Sequence, residues 1–189
     1  MSQTPNPHLI DADTITGEMH PIRRVVIALG SNLGDRMSCL QGALTSLADT
    51  PDVYLTAVSP VYETAPVGAP DGSPDYLNAV VLLDTTLPAH RLLDRALAIE
   101  DAYERERSGV DNEPRTLDVD LIVVGDRRSD TETLQLPHPR AAERAFVLQP
   151  WHDLEPDAVL PDAGPVADLL DKADRSGIAR RDDLVLEIP

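Results

Sequence analysis

The segment that most constrains this chain is PRTLDVDLIVVG, residues 114–125. Side chains of a β-strand alternate between faces, so Leu117, Val119, Leu121 and Val123 fall on one side of an extended chain. That side is uniformly apolar and must lie on a core. Thr116, Asp118, Asp120, Ile122 and Val124 share the other side, where two carboxylates stand among aliphatic residues. The strand is therefore expected to pack by one face and to present Asp118 and Asp120 away from that core.

The surrounding pattern supplies partners for such a strand. RRVVIALG reads as a strand ending at Gly30, and SNLGDR offers Ser31, Asn32 and Asp35 as caps for a helix through MSCLQGALTSLAD. VYLTAVSP is a second strand. The stretch SPVYETAPVGAPDGSP, residues 59–74, is too rich in Pro and Gly for a regular element and too long for an incidental turn, which marks a binding loop. YLNAVVLLD follows as a strand with Tyr76, Asn78, Val80 and Leu82 on one side. LPAHRLLDRALAIEDAYERER places Leu92, Ala96, Ile99 and Tyr103 at helical spacing. Past the aspartate strand, TLQLPHPRAAERAFVLQPW predicts a short strand, a turn at residues 137–139 and a brief helix, and PVADLLDKAD predicts a last helix. The succession strand, helix, strand, strand, helix, strand predicts an α+β fold: a ferredoxin-like sandwich with a mostly antiparallel sheet, helices on its faces and long substrate loops. Residues 1–21 show no sustained period and are expected to be a flexible leader, with 22–189 a single domain.

Charge narrows the partners. Lys and Arg number 16 against 33 Asp and Glu, a formal net charge of -17, which argues against nucleic acid or an anionic membrane as partner. No segment approaches the roughly 20 apolar residues that span a bilayer. The single cysteine, Cys39, excludes an internal disulfide and fits a reducing compartment, so the cytoplasm is the expected location, with no obligate protein partner evident. An anionic ligand would need locally clustered cations. Lys172 is the only lysine, so these are arginines, whose forked guanidinium suits phosphate.

Two residues apart on a strand, Asp118 and Asp120 lie about 6 to 7 Å apart at the backbone. Bent together, they suit hard divalent cations, and Mg²⁺ in particular favours a few carboxylates plus substrate phosphates. The bland alternative is a solvated face with two ordinary aspartates. Arg105 and Arg107 at the end of the preceding helix, Arg115 before the strand, and His138 and Arg144 after it all converge on this region. There is no P-loop, GSNLG does not match G-x-G-x-x-G, and the histidines lack the spacing of zinc ligands.

Four segments in this order, IALGSNLGDR (27–36), PDYLNAVV (74–81), PRTLDVDLI (114–122) and LPHPRAAERAFVL (136–148), resemble the 6-hydroxymethyl-7,8-dihydropterin pyrophosphokinases of folate biosynthesis. The resemblance covers residues 23–162. It implies transfer of the β,γ-pyrophosphoryl unit of ATP to the hydroxymethyl group of a reduced pterin, releasing AMP. It also implies that Asp118 and Asp120 bind two Mg²⁺, and that Glu100, Arg105, Arg107, Arg115, His138 and Arg144 contact ATP. Arg105 and Arg115 join the aspartates as catalytic. Tyr76, Asn78, Phe146 and the backbone of Thr64, Ala65 and Val67 are the implied pterin contacts. The loops at 62–74 and 106–114 are expected to close over both substrates. The family commonly has Trp-Gly before Pro-Arg; here Asn112 and Glu113 stand in those places, so the aromatic lid is missing. Two rivals remain open: a catalytically weak or silent nucleotide-binding module of the same fold, and another two-metal phosphotransfer or phosphodiesterase enzyme.

Overall fold

A computed structural model describes residues 9–13, 18–66, 72–103 and 115–189, with backbone only for residues 9–13 and 18–20. Two short strands, β1 (Leu9–Asp13) and β2 (Glu18–Pro21), pair antiparallel. This ribbon falls within residues 1–21, the segment expected as a flexible leader. The main sheet follows with β3 (Arg23–Ser31), helix α1 (Arg36–Ala48), β4 (Val53–Val58), β5 (Tyr62–Thr64), β6 (Tyr76–Thr85), helix α2 (Ala89–Ala102) and β7 (Asp118–Val124). Then come β8 (Ser129–Asp130), β9 (Gln135–Leu136), a 3-10 turn at Ala141–Glu143, helix α3 (Ala145–Leu154), β10 (Val159–Leu160), β11 (Gly164–Pro165), helix α4 (Val166–Lys172) and β12 (Ile178–Arg180).

The main sheet has six strands in the order β12-β5-β6-β3-β7, with β4 on the other half of β6, and every pairing is antiparallel. With β3 and β6 central and β7 at one edge, this is the ferredoxin-like arrangement expected from the element order. Strand β5 lies inside the stretch expected to be wholly irregular, and β12 was not expected at all. Both are short strands that exist by pairing with neighbours and not by a period of their own.

Each face of the sheet carries a core. On one, Val25, Ile27, Leu29, Leu77, Ala79, Val81, Leu83, Leu117, Val119 and Leu121 pack against Leu40, Ala43, Leu44 and Leu47 of α1 and Leu92, Ala96 and Ile99 of α2. On the other, Val26, Ala28, Val80, Leu82, Ile122 and Val123 meet Val147, Leu148 and Trp151 of α3 and Val166 and Leu170 of α4. The apolar face of β7 is thus as expected for residues 117–121, but the opposite face is not simply wet. A register shift between Val26 and Ile27, which pair with Val123 and Leu121, interrupts the alternation. It sends Val123 to the α3 side and Val124 to the α1 side, the reverse of strict alternation. Trp151 packs in this second core, with its indole N–H donating to Glu155 at 3.1 Å.

Helix α1 starts at a single cap. The Asp35 carboxylate accepts the Ser38 N–H at 3.0 Å, while Ser31 and Asn32, also expected as caps, are buried elsewhere. Among the described residues no helix is long and apolar enough to cross a membrane.

Candidate active site

The second core stops before the sheet does. Beyond Ala28, Val80 and Ile122, the same face continues with Gly30 on β3, Asn78 and Tyr76 on β6, and Asp120 and Asp118 on β7. The register aligns these in rows: Asn78, Gly30 and Asp118 pair side by side across three strands, and so do Val80, Ala28 and Asp120. Strand spacing puts the Asn78 and Asp118 backbones roughly 10 Å apart. The residue between them has no side chain. A Cβ at Gly30 would lie 3.2 Å from Asn78 Oδ1, 3.6 Å from the Tyr76 ring and 3.8 Å from Asp118 Cβ, so the glycine leaves a floor that joins the two ends.

At the acidic end each aspartate holds an arginine. Arg115 Nη1 lies 3.2 Å from Asp118 Oδ1, and Arg144 Nη1 lies 3.2 Å from Asp120 Oδ2. The carboxylates are 24% and 30% exposed, enough to accept a ligand from solvent. His138 Nε2 stands 3.8 Å from the same oxygen of Asp120, and its Nδ1 accepts the Arg140 backbone N–H at 3.2 Å. Burial, reinforced by Arg144 and Arg140, lowers the His138 pKa to about 4. The ring is therefore neutral near pH 7, with Nδ1 as acceptor and Nε2–H as donor.

At the other end Asn78 is buried and donates through Nδ2 to Thr64 Oγ1 at 2.8 Å. Tyr76 and Phe146 are partly exposed. The Arg144 guanidinium sits 5.4 Å from the Phe146 ring centroid while also holding Asp120, so one residue touches both ends of the site. The Ala65 backbone N–H, expected on the ligand side, instead donates to Gly177 O at 3.1 Å, which leaves that residue only its carbonyl and methyl for a ligand. Arg105, Arg107, Val67, Asn112 and Glu113 lie outside the described residues.

Glu100, expected beside the nucleotide, is buried on the α1–α2 side, where its carboxylate accepts the Val119 N–H at 2.9 Å. An edge strand leaves outward N–H groups unpaired, and a buried acceptor on α2 satisfies this one between the two aspartates.

Asn32 is the site residue the sequence did not disclose. Its Oδ1 accepts the Arg115 N–H at 2.7 Å, its Nδ2 donates to Pro74 O at 3.1 Å, and its own N–H donates to Arg115 O at 3.1 Å. It therefore ties the approach to β7 to the approach to β6. The available signal was position: an amide straight after a buried strand, three residues before the true cap.

A ferredoxin-like sheet that sets carboxylates and arginines at one end of a glycine floor, and an amide with aromatic rings at the other, defines a domain for bringing a phosphate-bearing ligand against a flat polar heterocycle. The model of the 7,8-dihydro-6-hydroxymethylpterin-pyrophosphokinase (HPPK) family matches residues 26–156. The chain is 42% identical over 159 residues to the 2-amino-4-hydroxy-6-hydroxymethyldihydropteridine pyrophosphokinase of Pseudomonas aeruginosa, covering 84% of this chain and 97% of that protein. It is 41% identical over 157 residues to the pyrophosphokinase of the same name from Methylorubrum extorquens, covering 83% of this chain and 98% of that one. The folate synthesis bifunctional protein of Arabidopsis thaliana is 40% identical over 137 residues, 72% of this chain and 28% of that protein. The crystal structure of wild-type Plasmodium falciparum HPPK-DHPS with pterin and p-hydroxybenzoate superposes with a TM-score of 0.60 at 14% identity, over 81% of this chain and 43% of that one, a likeness of fold alone. The chain belongs to the HPPK family.

Two predictions follow from this geometry. Asn32→Ala leaves a part-buried N–H and a carbonyl without their partner, so urea unfolding should show a loss of about 1 kcal/mol; an unchanged midpoint would remove Asn32 from this role. In proton NMR of the ligand-free protein, the His138 ring should hold its position from pH 8 to pH 6 and titrate only near 4. Because that value lies below the unfolded one near 6.5, the stability linked to His138 is full above about pH 6.5 and is lost as pH falls toward about 4. A midpoint at 6 or above would contradict the burial argument.

Proposed function

We propose that the chain transfers pyrophosphate from ATP to 6-hydroxymethyl-7,8-dihydropterin, giving AMP and the pterin diphosphate, with Asp118 and Asp120 holding Mg²⁺. The observation that carries this reading is the row Asn78, Gly30, Asp118: an amide and a carboxylate on one face, two strands apart, with nothing rising between them. The pyrophosphokinase names of relatives that match the chain over nearly their whole length support it.

The residues present fit the metal. Two partly exposed carboxylates on one face are hard oxygen donors, and among the described residues no group of three or more His, Cys, Asp or Glu could hold an ion. Such a two-carboxylate site suits Mg²⁺ that arrives with substrate phosphates better than it suits an all-protein cage. When bound, Mg²⁺ supplies positive charge between carboxylates and triphosphate that would otherwise repel each other.

The protein's own groups position and stabilise. Asn78, with one amide hydrogen already committed to Thr64, retains Oδ1 and a second hydrogen for the donor–acceptor edge of the pterin, and Tyr76 and Phe146 offer flat surfaces for its ring. The hydroxymethyl oxygen then forms its bond to the β-phosphorus as the bond to the AMP oxygen breaks on the opposite side, and the hydroxyl proton is released to water. Arg115 and Arg144 are already aimed by their aspartates, so their guanidinium groups can meet charge on the phosphate oxygens without searching for an orientation. Neutral His138 donates from Nε2 to a phosphate oxygen; it is not a general base near pH 7. On this reading Arg105 and Arg107 also contact ATP and the backbone of Val67 contacts the pterin, all three lying outside the described residues. The working compartment on this reading is the cytoplasm, in keeping with one cysteine and ATP as co-substrate.

Incubation with ATP, Mg²⁺ and the reduced hydroxymethylpterin should release AMP only when the pterin is present. ADP or no turnover would favour a different phosphotransfer enzyme or a silent nucleotide-binding module. Asp118→Asn keeps the shape and an acceptor for Arg115, so it should reduce turnover by at least about a hundredfold while leaving the melting temperature within a few degrees. A large fall in melting temperature would mean that the residue serves the core.

A further inference from the structure

The C-terminal segment lies beyond residues 26–156, which the family model matches, yet it is built into the heterocycle side of the site. Strand β12 pairs with β5 in the register Ile178 with Thr64, Ala179 with Glu63 and Arg180 with Tyr62. The ladder extends past both ends, with Ala65 N–H donating to Gly177 O at 3.1 Å and Arg181 N–H donating to Val61 O at 2.8 Å. Without this partner β5 would be an exposed edge of three residues, too short to hold a position by itself. The tail is in turn fastened to α1: Gln41 exchanges hydrogen bonds with the Glu187 backbone at 2.8 and 3.0 Å, and Leu186 enters the core.

On the reverse face of β5, a relay of charges carries the tail further. Arg181 Nη1 donates to Glu63 Oε2 at 2.6 Å, and Glu63 Oε1 accepts from Arg36 Nη1 at 2.8 Å. The same Arg36 nitrogen donates to Asp75 O at 2.8 Å, one residue before Tyr76. The Glu63 carboxyl is held below the usual carboxylate range by the Arg36 hydrogen bond, with Arg181 adding to it. Everything the relay reaches, Thr64 through β5 and Tyr76 and Asn78 through Asp75, lies at the amide end of the glycine floor. Strand β5 is three strand spacings from β7, roughly 14 Å from the aspartates.

We propose that residues 177–187 form a working part of the pterin side of the site, and that Arg181, Glu63 and Arg36 are positioning residues for the pterin and not for the nucleotide. The assignment rests on the proposed pyrophosphoryl transfer and adds which substrate this segment serves.

Steady-state kinetics on the full chain test it. Glu63→Gln keeps the shape and removes the charge that both arginines share; Arg181→Ala removes the tail's end of the relay. Each should raise the KM for the pterin by about five- to tenfold, as expected for one partly exposed charge-assisted hydrogen bond. The KM for ATP and the kcat at saturation should stay within about twofold, a split that general loosening of the fold does not give. Because both residues act through one relay, the double variant should be little worse than either single one. Melting curves establish that each variant is folded at the assay temperature, and Arg181→Ala, at a more exposed position, serves if Glu63→Gln is not. Equal changes in both KM values, or no change in either while the unsubstituted protein releases AMP, would overturn the assignment alone. Absence of AMP from the unsubstituted protein would overturn the transfer reading and this inference with it.

Discussion

The site depends on where the second core ends. Both faces of the sheet are covered, but α1 and α2 cover their face along its length, whereas α3 and α4 cover only the part bounded by Ala28, Val80 and Ile122. Two residues further along β3 and β6 the side chains change to Gly30 and Asn78, and β7 sets Asp120 and Asp118 beside Ala28 and Gly30. Extending the apolar cover over these positions would bury carboxylates and an amide without enough partners, at several kcal/mol for each ion. The hydrophobic boundary therefore coincides with the polar one, and the rigidity of the packed half is transmitted to the open half along continuous strands.

Cross-strand neighbours then decide what the open half can hold. Asp118 and Asp120 are flanked on β3 by Gly30 and Ala28, the smallest residues available. A larger residue at position 30 would press on Asn78 Oδ1 and come between the two ends. The register shift near Val123 lies on the far side of Ile122 from the aspartates. It re-aims Val123 and Val124 to their respective cores while leaving residues 117–122 in regular alternation.

The parts of this arrangement legible in the sequence were those with a period. The alternation of residues 117–121, the apolar spacing of α2 and the order of long elements led to the fold and to the side on which the carboxylates stand. Strands β5 and β12 were not legible because three-residue strands carry no period; each is specified by its ladder partners, and the two pair with each other from more than a hundred residues apart in the chain. The buried partner of Glu100 was illegible for a related reason. A glutamate on a helix usually points to solvent, and only the location of β7 at a sheet edge, with an outward Val119 N–H, gives this one a buried partner. Ser31 and Asn32 look like caps by composition, whereas Asp35 alone occupies the cap and Asn32 is drawn inward by two backbone groups from distant loops. The apolar core follows from local chemistry, while the polar ties of the site come from contacts that a single sequence cannot align.

The electrostatics of the site follow from the same geometry. In a chain of net charge -17, Arg115 pairs with Asp118 and Arg144 with Asp120, each at 3.2 Å. Such pairs, only partly shielded from water, contribute at most about 1 kcal/mol each to stability. That weakness suits a site that must exchange partners. A triphosphate presents oxygens to which a guanidinium binds bidentately, and cations accompanying it are what the carboxylates then prefer. The pairing seen here orients four charged groups without locking them. The firm constraints, Glu100 on the Val119 N–H and Asn32 between the Arg115 and Pro74 backbones, act on the main chain beneath them. Strand position is thus held by neutral and charge-assisted hydrogen bonds to the main chain, while the paired side chains above remain able to change partners. A site built the other way round, with mobile strands and tightly paired charges, would have to break its strongest interactions before it could bind.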